Sequence, residues 1–514
     1  MKIYKLLYVL NQIKLLSPLA LFRLMASIYK NGINLMTLVH FSAKNYGERI
    51  ALVDEQETLT YSQLFARSDE LSLSLSQEYR LESGKKVGLV CKNHASLIKT
   101  IYAVSATGAD IYLLNAEMSE AQLSSILERH HFDLLVIDEE LSWLGLGGEQ
   151  YAHRGAILMS YHPTLPAINN LPPVIYNRTQ KRSPASTGKL VLLTGGTTGS
   201  AKEAAHKPSL FNYLDPFYDF LIRLKILHYH TAYIATPIYH GYGIAVLLLF
   251  CALGKKVVVC RGFNAEMACR LVREHQVEVV TVVPLMLHRM LRTNVSDLKS
   301  LACIASGGAE LSPKLAQQTL SQLGEVLYNL YGTSEAGLNM IATPQDLIYS
   351  ACTLGRKIKG VDLKILDDHK KEVEVGKVGQ FCIKNRWSMR NGSQIWIETG
   401  DLGYRDENGY YYLCGRTDSM IVSAGENVYP LEVERVLLTH PQVEDAAVIG
   451  ISDELYGQRL KAFVLMNPRA HTNTEELIDW LRPRLARFQL PKEIVLVDDL
   501  PYTSLGKLNK KLLT

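Results

Sequence analysis

The chain has 514 residues, 47% of them hydrophobic and 21% charged, with a formal net charge of +4. That length exceeds one ordinary core and implies two or more domains, in a composition typical of globular proteins. So small an excess of basic charge gives no support to a nucleic-acid partner. The eight cysteines are scattered and form no C-x-x-C pair. This argues against a zinc ribbon or a thioredoxin-type motif, and for reduced, buried thiols in a cytoplasmic setting. The N-x-[ST] triplets starting at Asn177, Asn294 and Asn391 are then chance matches.

Residues 1–37 read as a basic, apolar helical segment. Lys2, Lys5, Lys14, Arg23, Lys30 and Lys44 are its charges and those just beyond it, and the first carboxylate is Glu48. The apolar stretches fall well short of the ~20 residues a membrane span requires. Lysines spread through them, with no small-residue cleavage pattern, argue against a signal peptide. After Pro18, "LALFRLMASIYKN" places Arg23, Ser27, Lys30 and Asn31 along one helical stripe and apolar residues over the rest. Such a helix either packs on the protein itself or makes peripheral contact with the inner face of a membrane through residues 1–35.

From about residue 85, short apolar runs alternate with helical ones. "KKVGLVC", "DIYLLN", "FDLLVID", "TAYIATP", "KKVVVC", "VEVVTVVP" and "LACIASGG" predict strands. "HASLIKTIYAVSATG", "AQLSSILERHH", "GIAVLLLFCALG", "AEMACRLVREHQ" and "LMLHRMLRT" predict the helices between them. Strands alternating with helices imply βαβ units and mainly parallel sheets. Residues 161–189, rich in Pro, Asn, Ser and Thr, read as a loop or linker. After residue 360, "VDLKILD", "GQFCIKN" and "YYYLCGR" are separated by turn signals and predict antiparallel strands or a small barrel. Mixed strand and helix character resumes beyond Arg416, with a domain boundary expected at 416–419.

Between the runs lies "LLTGGTTGSAKEAAHKPS", residues 192–209. A strand leading into a loop of glycines and hydroxyls exposes successive backbone N–H groups, an anion-binding concavity. It is not the Walker pattern, because Gly199 stands three residues from Lys202.

"TGGTTGSAKEA" resembles the [ST]SGTTGxPKGx signature of the adenylate-forming enzymes: acyl-CoA synthetases, adenylation domains and luciferases. "NLYGTSEAG" (329–337), "WIETGDLG" (396–403), "GRTDSMIVSAGENVYPLEVE" (415–434) and "LPYTSLGK" (500–507) follow in the family's order, with "TYSQL" (60–64) and "GADIYLLN" (108–115) as weaker matches upstream. The likeness covers essentially everything after residue 40. It implies an α/β fold: a large N-terminal region of two helix-flanked, mainly parallel sheets plus a small β-barrel-like unit (38–417). A small, mobile α+β domain (418–514) follows. ATP and the acyl chain are expected at the cleft between these two parts.

The resemblance also assigns roles. Thr194, Gly196, Thr197, Thr198 and Gly199 would wrap the β- and γ-phosphates, with Lys202 as countercharge. Gly308, Ala309, Glu310 and Gly332 would belong to the nucleotide site. Tyr331 would lie against the adenine and Thr333 would contact the α-phosphate, while Glu335 would supply the hard oxygen that Mg²⁺ requires. Asp401 would accept hydrogen bonds from both ribose hydroxyls, assisted by Arg416. Lys507 would place an ammonium between the carboxylate and the α-phosphate, offsetting their repulsion in the transition state. Asp418 would be the hinge, Ala424 and Gly425 would face the coenzyme A channel, and His240 would stand at the mouth of the acyl pocket. Gly195, Ala201, Glu203 and Leu505 depart from the family pattern. Lys202 and Glu203 are adjacent, so an extended backbone would point them to opposite faces and turn Glu203 away from the phosphates.

The implied function is an AMP-forming acyl-CoA synthetase using ATP, Mg²⁺ and coenzyme A on a carboxylic acid, with a medium- or long-chain fatty acid the leading expectation. Succinylbenzoate-type and aromatic acids are used by relatives with the same motifs. Two alternatives stand beside it: an acyl-AMP ligase that loads a separate carrier protein, and a catalytically weak nucleotide-binding relative.

Overall fold

The computed structural model describes residues 2–12, 16–141, 156–172, 188–194, 202–206, 210–333, 335–388, 395–423, 426–453, 457–468, 470–503 and 507–513. The backbone divides into two units, Met1–Thr281 with Ser296–Leu301, and Val282–Val295 with Ala302–Thr514.

In the first unit the predicted alternation becomes two sheets. One runs Ala156–Met159, Leu134–Ile137, Lys86–Val90, Asp110–Leu113, Leu190–Thr194, all parallel, and ends on the antiparallel strand Lys202–His206. The other places Val279–Val282, Thr231–Ile234, Lys256–Val258 and Ile50–Val53 in parallel, with Thr58–Thr60 antiparallel at the edge. Helix Ala95–Thr107 is buried along its whole length, with its hydroxyl residues Ser96, Thr100, Ser105 and Thr107 among the apolar ones. Its one cation, Lys99, is paired with Glu57 at 2.5 Å. Helix Tyr61–Glu78 was not legible in the sequence, although Thr60 and Gln63 form a capping box at its start. Its inward stripe mixes Ser68, Ser72 and Ser74 with Leu64, Leu71 and Leu75, which dilutes the apolar period. Residues 161–172 are turns and bends, as expected, and 173–187 lie outside the described residues.

In the second unit, Cys303–Gly307 and Leu327–Thr333 are parallel. Six antiparallel strands continue from them: Gly337–Ala342, Thr353–Lys357, Tyr411–Arg416, Ile397–Arg405, Gly379–Lys384 and Asp362–Leu366. Antiparallel pairing already begins at Gly337, and the texture change predicted after residue 360 falls within this antiparallel run. Residues 418–514 belong to this unit and carry their own sheet, built on the long hairpin Val443–Asp453 and Gly457–Met466. Helices Pro430–Leu438 and Thr474–Leu481 cover one face through Val433, Leu437, Leu477 and Leu481. On the other face, Tyr502, Leu508 and Leu513 pack against Ala447 and Phe463, so the tail is part of the core. Among the described residues no helix is long and apolar enough to cross a membrane.

Candidate active site

Strands Ile397–Arg405 and Tyr411–Arg416 pair in a register that sets Asp401 opposite Arg416. The Arg416 Nη1 donates to Asp401 Oδ1 at 3.0 Å, and the Tyr331 hydroxyl donates to Oδ2 at 2.6 Å. Gly400, at φ +76°, turns the chain into Asp401, and a Cβ there would stand 3.1 Å from the Arg416 guanidinium. Burial pushes the Asp401 carboxyl up; the Tyr331 hydrogen bond, the Arg416 guanidinium and the Lys507 ammonium all oppose it. A carboxylate offers about four lone-pair directions. Two are occupied here, so two are left for a pair of vicinal hydroxyls. Arg416 also holds Asp418, through Nε at 3.0 Å and Nη2 at 3.3 Å. Three of the predicted residues, Asp401, Arg416 and Asp418, thus form one charged chain, with Tyr331 attached.

Tyr331 is buried, with its ring edge-on to Phe381 at 6.1 Å and its hydroxyl on Asp401. It lies near the end of strand Leu327–Thr333, which leads through Gly332 and Thr333 into the hairpin carrying Glu335, with Thr333 paired to Gly337. The Ala336 amide donates to Thr333 Oγ1 at 3.0 Å, closing the turn. Asn385 Nδ2 holds the same turn through the Ala336 carbonyl at 2.7 Å, and Trp387 Nε1 donates to the Leu338 carbonyl at 3.1 Å. The Glu335 carboxylate stands partly exposed on this braced turn. One such oxygen donor suits Mg²⁺, which keeps most of its ligands as water and phosphate. Neither Asn385 nor Trp387 was legible as a site residue, because "KNRW" carries no motif of its own.

Gly308, at φ +82°, follows strand Cys303–Gly307 and leads through Ala309 to Glu310. The Glu310 carboxylate accepts from Arg435 Nε at 2.9 Å and Nη2 at 2.7 Å. Burial pushes the Glu310 carboxyl up, and the Arg435 guanidinium draws it back. Arg435 lies on helix Pro430–Leu438. The pair therefore ties the segment predicted to meet the nucleotide to the C-terminal segment, a contact that sequence reasoning did not find.

Lys507 is exposed on a short hairpin: Thr503 N–H donates to the Lys507 carbonyl at 2.7 Å, and Lys507 N–H to Thr503 Oγ1 at 3.1 Å. The hairpin is anchored by the Tyr502 hydroxyl, which donates to Asp445. Three residues on, Lys510 Nζ donates to buried Glu434 at 2.5 Å and to the Val448 carbonyl at 3.0 Å. With the tail fixed this way, the Lys507 charge bears on Asp401.

In the first unit, Thr194 ends strand Leu190–Thr194 and is paired in register with Lys202; Glu203 is paired with Leu193. Lys202 and Glu203 are consecutive residues of an extended strand, the backbone expected for them. Gly195, Gly196, Thr197, Thr198, Gly199 and Ala201 lie outside the described residues, as do Ala424, Gly425 and Leu505. His240 precedes helix Gly241–Ala252, with its ring edge-on to Tyr239 at 4.7 Å.

Cys91, His94 and Asp138 have the residue types of a metal site and lie close together. Their hydrogen bonds give them other work. His94 Nδ1 caps helix Ala95–Thr107 by accepting from the Leu97 amide at 3.0 Å, so the proton sits on Nε2 and points to Asp138 at 2.8 Å. Both ring nitrogens are engaged, and Asp138 also accepts from Ser160 Oγ at 2.5 Å and the Lys92 amide at 2.8 Å. This is a buried capping network.

Residues 39–391 match the AMP-binding enzyme family, and residues 432–507 the AMP-binding enzyme C-terminal domain. The 2-succinylbenzoate–CoA ligase of Bacillus pumilus (strain SAFR-032) is 28% identical, over 90% of this chain and 94% of its own. The fatty acid–[acyl-carrier-protein] ligase ScoC of Streptomyces coeruleorubidus is also 28% identical, over 93% and 96%. Among solved structures, the amide bond synthetase McbA from Marinactinospora thermotolerans superposes with a TM-score of 0.81 at 22% identity, over 93% of this chain and 98% of that one. With both family segments matched, and the fold shared, this chain belongs to the AMP-binding enzymes, the adenylate-forming superfamily that its motifs resemble.

Proposed function

We propose that this protein is an AMP-forming acid–thiol ligase that converts a carboxylic acid to its coenzyme A thioester. In the first half-reaction a carboxylate oxygen attacks the α-phosphorus of ATP and pyrophosphate leaves. In the second, the thiol sulfur attacks the acyl carbonyl and AMP leaves with the bonding pair. The observation that carries this reading is the convergence on Asp401: Tyr331 and Arg416 hold it, and the Lys507 ammonium acts on it. Asp401 would orient the ribose, Lys507 would neutralise the approaching anions, and Thr333 with the 194–202 loop would hold the phosphates. Glu335 would hold Mg²⁺, which when bound neutralises phosphate charge. His240 and the 424–425 segment would line the acyl and thiol approaches. Residues 418–514 would swing about Asp418 between the two half-reactions.

The acid to test first is 2-succinylbenzoate, because 90% of this chain aligns with 94% of each of two ligases of that name. Medium- and long-chain fatty acids come second, supported by the carrier-protein ligase relative, which also favours a carrier protein as the alternative thiol acceptor. Eight cysteines present as free thiols support a reducing, cytoplasmic setting.

Pyrophosphate release measured with each acid, with and without coenzyme A and with acyl carrier protein, tests the assignment. Acid-dependent release with thioester formation on coenzyme A is expected. An acyl-adenylate consumed only by carrier protein would replace coenzyme A with that acceptor, and no release with any acid would leave a nucleotide-binding protein. Lys507→Ala should slow adenylate formation by about a hundredfold or more, the scale of losing one preorganised charge. Consumption of supplied acyl-adenylate by coenzyme A should change far less.

A further inference from the structure

Helix Pro18–Asn31 is mounted the wrong way round for a helix that packs by its apolar face. Its inward side carries Ala20, Ser27 and Asn31, all buried. Its polar members are held by hydrogen bonds within the protein, although Asn31 Oδ1 finds no partner among the described residues. Arg23 Nη1 donates to Asn45 at 2.9 Å, Ser27 Oγ to the Arg23 carbonyl at 2.8 Å, and Asn31 Nδ2 to the Ser27 carbonyl at 3.0 Å. Asn31 also meets His40 Nδ1 at 2.9 Å. The outward side carries Leu19, Phe22, Met25 and Tyr29, which are 57%, 72%, 66% and 80% exposed. Tyr4 and Leu7 of helix Lys2–Gln12, and Leu16 between the helices, extend the same character. Nine of the nineteen large apolar side chains exposed among the described residues fall within the first 33 positions. Scattered exposed apolar residues are ordinary; this concentration is not.

We propose that this face docks in the plane of an anionic lipid bilayer, with Leu19, Phe22, Met25 and Tyr29 entering the boundary between headgroups and acyl chains. Charge selects the occupant. The segment has no carboxylate before Glu48, and with Arg23 engaged by Asn45 and Lys30 by Asp69, the basic residues Lys2, Lys5 and Lys14 complement an acidic headgroup layer. A second copy of the chain is the poorer partner, because a twofold contact would set the same basic rim against itself. The helix is too short to cross a bilayer, so it lies on the surface. Among the described residues, His40, Lys30, Lys44 and Asp69 are titratable groups at its inner edge, and Lys30 is bound to Asp69 at 2.9 Å.

Flotation of the full chain with lipid vesicles is the test. Binding to vesicles containing phosphatidylglycerol is expected to exceed binding to pure phosphatidylcholine by about fivefold or more, and to fall as salt is raised. The double variant Phe22→Asp, Met25→Asp should lower it about tenfold with the melting temperature unchanged, since both side chains are exposed. Lys2→Glu with Lys5→Glu should weaken the phosphatidylglycerol preference specifically. Failure of the full chain to float with phosphatidylglycerol vesicles would overturn the proposal, as would equal flotation of the Phe22, Met25 variant. A stable dimer in sedimentation, made monomeric by that variant, would assign the face to a second copy instead. None of these outcomes depends on which acid the enzyme uses.

Discussion

Asp401 shows how a single residue is prepared by its surroundings. Two donors fix its two carboxylate oxygens, and burial raises its carboxyl against the opposing pull of a guanidinium and an ammonium. Tyr331→Phe removes one donor and leaves the ring. Loss of one such bond costs about 1 kcal/mol of stability and frees the carboxylate to shift. We expect the Michaelis constant for ATP to rise about fivefold with little change in kcat, as steady-state kinetics at saturating acid would reveal. Asp138 poses a different question, about pH. Burial pushes its carboxyl up, but His94, Ser160 and the Lys92 amide outweigh this and bring it from the usual 3.8 to about 2. A folded-state value below the unfolded one means the stabilisation is complete above about pH 4 and drains as pH falls toward 2. The shift corresponds to about 2 kcal/mol. Urea unfolding at pH 6 and pH 3 should therefore show a larger acid-induced loss for the native chain than for Asp138→Asn.

At the scale of elements, the structure uses cross-links between segments far apart in sequence. The Glu310–Arg435 pair joins the end of strand Cys303–Gly307 to helix Pro430–Leu438, and Lys510–Glu434 fastens the tail beneath the same helix. If the arrangement that brings Lys507 to bear on Asp401 is the adenylating one, cutting this cross-link should hurt the first half-reaction selectively. Glu310→Gln keeps the shape and removes the charge. Pre-steady-state assays should show acyl-adenylate formation slowed about tenfold, with thioester formation from supplied acyl-adenylate nearly unchanged, because a half-buried pair is worth on the order of 1–2 kcal/mol. Equal loss in both halves would make the pair a general fold contact. The Glu335 turn depends on a similar brace, since Asn385 and Trp387 reach it from beyond strand Gly379–Lys384. Trp387→Ala would open a cavity beside the turn and cost about 3 kcal/mol or more.

For the molecule as a whole, the sequence by itself determined the family and the alternation of strands and helices, and it singled out the residues to which the resemblance assigns the chemistry. Those signals are local: an apolar run, a glycine at a turn, a lysine seven residues from the last position. The order in which strands lie side by side was not local, and only the tertiary structure decided it. Tyr331 meets Asp401 across 70 residues, between strands of one sheet, and Glu310 meets Arg435 across 125, where a strand end faces a helix. Tertiary structure also decided which face of helix Pro18–Asn31 turns inward. Periodicity fixed the polar stripe, yet a stripe alone does not say whether it meets water or a partner. Here hydrogen bonds to half-buried Asn45 and buried His40 stabilise the polar side inside and leave the apolar side out. Spacing proposes which groups meet, but a buried polar group settles where its partners are, and those partners are fixed only by the folded chain.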